Sequence, residues 1–128
     1  MANRGYKEKP ISEEHYKLGT LAPEVICDGH WVDFLPISEI QRKNGLETYN
    51  CTSYGNLHLI STYLKKKFGL ENNFSERYIG ILNNIEEGVG ADPHDSLEVI
   101  RHQGIIPEAE LPFDSSINTL LMVSCRFV

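Results

Sequence analysis

"ETYNCTSYGNLHLISTYLKKKFG", residues 47–69, decides the fold, because a polar run-in gives way at Cys51 to a helical pattern. Tyr54, Leu57, Leu64 and Phe68, with the small Ser61 between them, recur at helical spacing from Thr52 to Phe68. Leu59, Ile60 and Tyr63 widen the stripe. A helix apolar over so much of its circumference is expected to be central and buried on more than one side, with Leu57, Ser61, Leu64 and Phe68 facing the core. Gly69 is its stop signal. Lys65, Lys66 and Lys67 fall in the last turn, where cations suit the helix dipole, and read as a solvated helix end.

The helix sits in a chain of 128 residues, a length that fits one domain able to remove roughly two thirds of its unfolded surface from water. The formal charge of -6 is spread along the sequence, and the basic residues cluster only at 65–67. Phosphate binding needs a concentrated basic face, so nucleic acid is not an expected partner. The beginning, MANRGYKEKP, has no apolar stretch after its charges, and no run is long enough to cross a membrane. The three cysteines, Cys27, Cys51 and Cys125, are odd in number, far apart and without a CxxC pair. A reduced, cytoplasmic setting without membrane, cofactor or metal is therefore expected.

Outward from the central helix, residues 1–24 are polar and broken by Pro10, Gly19 and Pro23, which predicts an extended arm. "HWVDFLPI", residues 30–37, suits a short strand or extended buried segment ending at Pro36. A second helix is expected from Glu76 to Asn83, with Ser75 as its cap and Glu76 at the positive end of its dipole. "EEGVGADPH" supplies a loop, and then Asp92 as N-cap, Pro93 at the first position and Asp95 in the first turn open a third helix, "PHDSLEVIRHQ", which stops before Gly104. Pro107 and Pro112 interrupt any regular element in "GIIPEAELPF".

Chemistry centres on Cys51. A thiol is a useful nucleophile as thiolate, and a helix N-terminus favours the thiolate by aiming amides and the dipole at it. Gly45 lies in the loop before it, and Gln41 upstream could donate an amide hydrogen bond to an oxyanion. The competing reading is a packed thiol, since cysteines are often simply buried. The "DPHD" stretch around His94 invites a metal or dyad reading, but helix capping accounts for both acids.

The order of elements resembles the N-terminal, mainly helical half of papain-like cysteine peptidases, and in particular divergent members encoded by phages and bacteria. The resemblance runs over about residues 36–113. It comprises Gln41, a glycine-bearing loop, Cys51 opening a long helix, "NFSERYI" like that family's LSEQ segment, then a glycine-rich loop, a short helix, "GI" and "LPF" like its YPY. The Gln41 to Cys51 gap is longer than the family usually shows, and "YNCTSYG" stands where CG[SA]C[WY] would. The resemblance implies an α+β protein, mainly helical here: the L-type lobe with a long central helix, lacking the second, β-rich lobe. It implies Cys51 as nucleophile, Gln41 as oxyanion donor and a peptide or protein substrate. The family's histidine and asparagine lie roughly 130 to 150 residues after the cysteine, beyond the end of this sequence. His15, His30, His58, His94 and His102 read poorly as substitutes.

The resulting expectation is an arm over 1–35, a papain-like helical lobe over 36–113 and an atypical tail over 114–128, the apolar "LMVSCRFV" suggesting a truncated chain. A lobe cut from its partner would expose an apolar face, to be covered by a second lobe or a homo-oligomer. Two alternatives stay open: a non-catalytic interaction or structural module on the same lobe, and a transferase or other thiol acyl enzyme.

Overall fold

The computed structural model of the chain describes residues 7, 9, 10, 12, 13, 30–41, 48–85 and 88–113. Three helices carry the architecture: α1 (Cys51–Phe68), α2 (Glu76–Leu82) and α3 (Pro93–Gln103). Each packs on the other two. Short 3-10 turns at Trp31–Phe34 and Glu108–Glu110 flank the bundle. Most of the expected arm and all of the 114–128 tail lie outside the described residues, as do Cys27, Cys125 and His15. Among the described residues no helix is long and apolar enough to cross a membrane.

The helix ends follow local chemistry. Gly69 closes α1 in the left-handed conformation (φ 67°), which costs a residue without Cβ nothing. Ser75 caps α2 by accepting from the Tyr78 amide at 3.1 Å, and its hydroxyl donates to the Leu111 carbonyl at 2.7 Å. The same serine thus fastens the segment after α3 onto the start of α2. Backbone pairing reinforces the seam: the Ser75 amide donates to the Ile106 carbonyl and the Glu108 amide to that of Asn73, each at 3.0 Å, around an isolated antiparallel bridge between Phe74 and Pro107. Asp92 caps α3 by accepting from the His94 amide at 2.8 Å, with Pro93 at the first helical position.

The interior combines few large apolar side chains with many small polar ones. Leu57 and Ile79 are fully buried, and each contributes about 1.5–3 kcal/mol by leaving water. Around them lie Ser53, Ser61, Ser75 and Ser96, all buried. The Ser96 hydroxyl is a junction: it hydrogen bonds Thr52 Oγ1 at 3.0 Å and accepts from Asn83 Nδ2 at 3.0 Å, joining α1, α3 and the end of α2. Asn56 Nδ2 donates to the Pro93 carbonyl at 2.9 Å, pinning the start of α3 beside the second turn of α1. The described part of the arm attaches to this same end of α3, through the Lys7 amide on the Ala91 carbonyl and a 2.6 Å ion pair between Lys9 and Asp95.

Four expectations change. Residues 31–34 form a 3-10 turn and not a strand, and among the described residues the β part of the expected α+β class is absent as a strand, since no neighbouring segment pairs with the one entering Pro36. Phe68 is exposed and Leu64 only half-buried, because the last turn of α1 runs beyond the bundle. Leu59 and Tyr63 are also exposed, so α1 is buried along the face of Tyr54, Leu57 and Ser61 and open along another. The lysine run is more than a solvated end: Lys66 lies 3.7 Å from the Trp31 ring centre, Lys67 donates to Tyr63 Oη, and Lys65 pairs with Glu71 at 2.9 Å. The cation–π contact holds the 31–34 turn against α1.

Replacing Asp92 by Ala is expected to cost about 0.5–2 kcal/mol of folding stability, whereas Asn is tolerated. Equal denaturant midpoints for the two variants would show that the cap contributes nothing.

Candidate functional site: the start of α1

The site grows from the way α1 begins. Asn50, its N-cap, makes no side-chain cap bond. Its side chain turns inward, where Nδ2 donates to the Glu76 carbonyl in the first turn of α2 at 2.7 Å. The residue is completely buried, and Oδ1 has no hydrogen-bond partner. Burying an amide that is only half satisfied is costly, so the packing around it must be specific. Gly80 supplies that packing: a Cβ there would lie 2.8 Å from Asn50 Nδ2 and 3.0 Å from its Cγ. A side chain at position 80 would force the buried Asn50 amide to shift.

The preceding residue, Tyr49, sits at φ 52°, a left-handed conformation that costs a bulky side chain about 1–2 kcal/mol. The turn it makes presents two successive backbone amides, those of Asn50 and Cys51, in one direction. Gln41 meets them. With its amide oriented by its hydrogen-bonding surroundings, the Gln41 side-chain oxygen accepts from the Asn50 amide at 3.2 Å and the Cys51 amide at 3.3 Å. The backbone of Gln41 is held from the other side, where Thr48 Oγ1 donates to its carbonyl at 3.4 Å. Gln41 and Cys51 are therefore neighbours although ten positions separate them in sequence. The Cys51 thiol is half-buried. Later backbone amides of the turn are committed within the helix, those of Ser53 and Tyr54 both donating to the Asn50 carbonyl.

The arrangement can hold an oxygen atom against a helix-start amide beside a thiol, the geometry needed to stabilise charge on a carbonyl under attack. The histidines are placed elsewhere. His58 is two turns along α1, roughly 10 Å of helical rise from Cys51, and its Nε2 faces Glu76 at 3.7 Å. His102 is exposed on the last turn of α3 beside Glu98 and Arg101, and His94 belongs to the first turn of that helix.

Sequence reasoning missed a second constellation. Glu39, His58 and Glu76 come together from three segments, their ligand-type atoms all within 4.8 Å of one another. Glu76 was legible as a helix-start acid, and the structure buries its carboxylate almost completely. No spacing rule links the three positions, so no sequence signal could have found them.

Substituting Gly80 by Ala is expected to cost about 1–3 kcal/mol through overpacking against Asn50 and to change the alkylation rate of Cys51, although the two residues belong to different helices. A stable variant with an unchanged rate would separate the thiol from this contact.

Comparison with family models, with curated proteins and with solved structures returns no match.

Proposed function

We propose that the chain is the helical lobe of a papain-like cysteine peptidase, with Cys51 as nucleophile and Gln41 as the side-chain donor to the oxyanion. The observation that supports this reading most is the convergence of the Gln41 amide on the Cys51 backbone amide at the start of the longest helix. The order of a glutamine, a helix-opening cysteine, a capped Ser75–Glu76 helix and a proline-capped third helix supports it further.

In this reading the Cys51 thiolate attacks a peptide carbonyl: a carbon–sulfur bond forms and the carbonyl π electrons move to oxygen. That oxygen takes the Cys51 amide as one donor. The substrate oxygen would first displace the Gln41 oxygen from the Cys51 amide, and the released Gln41 side chain, turned so that its NH2 faces the substrate, would supply the second donor. Collapse expels the amine, which takes a proton, and leaves a thioester that water hydrolyses. The proton shuttle is the part that Cys51 and Gln41 do not provide. The described histidines His58, His94 and His102 stand away from Cys51, so these residues are proposed to give a reactive thiol without turnover.

A second reading, a non-catalytic interaction module on the same lobe, is favoured by the exposed apolar residues Trp31, Val32, Leu35, Leu59 and Tyr63 along α1 and the 31–34 turn.

Iodoacetamide labelling of the full chain, read by mass spectrometry on the Cys51 peptide, separates the two. The peptidase reading expects labelling faster than in the denatured chain at about pH 6–7, where an ordinary thiol is mostly protonated, a change of rate in Gln41→Ala, and no hydrolysis of peptide substrates. A Cys51 that reacts only after denaturation would overturn it and leave the interaction module.

A further inference from the structure

Below the exposed side of α1 lies a groove of about 690 Å³, walled by Trp31, Leu35, Leu59 and Tyr63 and reaching Glu39 and His58. Behind those two is Glu76. We infer that Glu39, His58 and Glu76 form a binding site for a divalent transition-metal ion of the zinc class, entered from this groove and independent of the Cys51 reading.

The distances suit an ion better than direct bonds. His58 Nε2 and Glu76 Oε1 are 3.7 Å apart, too far for a hydrogen bond. Two ligands on one tetrahedral zinc, at about 2.0–2.1 Å each, sit about 3.4 Å from each other, so a small closure of the pair suffices. All three donor atoms lie within 4.8 Å of one another. Glu39 is already oriented for such a role: Oε1 accepts from Asn73 Nδ2 at 2.7 Å, which leaves Oε2 buried and without a hydrogen-bond partner. Fixing one carboxylate oxygen from outside while the other faces the ion is how ligands are usually held.

An independent observation points the same way. Tyr54 is 7% exposed, and its hydroxyl is buried without a hydrogen-bond partner. Its ring meets the His58 ring edge-on, with centroids 6.2 Å apart. A divalent ion held by Glu39, His58 and Glu76 would place its charge directly between the two carboxylates that line this pocket. One imidazole can contribute a single charge; a divalent ion contributes two. The donor set of one imidazole and two carboxylates selects zinc-class ions over magnesium or calcium, which prefer oxygen alone.

The test is zinc titration of the full chain, stripped with a chelator, in a Cys27→Ser, Cys51→Ala, Cys125→Ser background that removes thiolate ligands. Calorimetry is expected to give one zinc per chain, with magnesium and calcium unable to compete. Loss of even an outer-shell partner costs roughly 10–100-fold in metal affinity, so His58→Ala and Glu39→Gln should each cost at least that. Both positions are half-buried, and circular dichroism verifies that the variants remain helical. Cobalt substituted for zinc should give a visible absorption band that His58→Ala abolishes. Zinc affinity unchanged in both variants, or no zinc bound at millimolar concentration, would overturn the assignment.

Discussion

A single buried amide organises this molecule. Asn50 Nδ2 on the Glu76 carbonyl joins the first residue before α1 to the first turn of α2, and a side chain at position 80 would force that amide to shift. A buried hydrogen bond contributes only about 0.5–1.5 kcal/mol net, but leaving such a group unsatisfied costs more than making the bond gains. The contact therefore acts mainly against alternatives: an α1 started one residue earlier or later would bury an amide with nothing to bond. Register at the start of α1, and with it the place of Cys51, follows from this penalty.

Around that fixed point the candidate site is built from backbone. The left-handed Tyr49 turns the chain, Asn50 and Cys51 present their amides, and Gln41, its carbonyl held by Thr48, reaches them with its side chain. Tyr49 packs against the Ile85–Ala91 cluster, which helps to hold it in that conformation. The Glu39–His58–Glu76 cluster obeys a different logic: its side chains come from three segments, and the His58 ring meets Tyr54 edge-on. Both constellations share α2 as their support, since Glu76 offers its carbonyl to Asn50 and its carboxylate to His58.

Helix boundaries were legible where a local signal decides them. Gly69 ends α1, Ser75 opens α2 and Asp92–Pro93 opens α3, each through a cap that depends on a few neighbouring residues. Periodicity was less informative, because it says which residues share a face and not whether anything covers that face. Leu59, Tyr63 and Phe68 fit the helical stripe and stand exposed. The 30–37 segment looked like a strand by its aromatic content, yet a strand needs a partner, and Trp31 is instead engaged by Lys66. Of the site, Cys51 and Gln41 could be named from sequence, but their meeting depended on a turn at Tyr49 that no residue type there announces. The Glu39–His58–Glu76 cluster depends wholly on tertiary packing and left no trace in spacing.

The Ser96 junction and its polar neighbours bear on how the protein responds to temperature. Thr52, Ser53, Asn56, Ser61, Thr62 and Ser96 are buried polar residues on the helices, and Ser75 is buried at the α2 cap. Unfolding hydrates these groups along with Leu57 and Ile79, and polar exposure lowers the heat-capacity increment that apolar exposure raises, below the usual net of about 12–15 cal/mol/K per residue. A small increment flattens the stability curve. A bundle with this interior is expected to lose stability gradually on heating, with a smaller heat-capacity increment per residue than one packed on leucine.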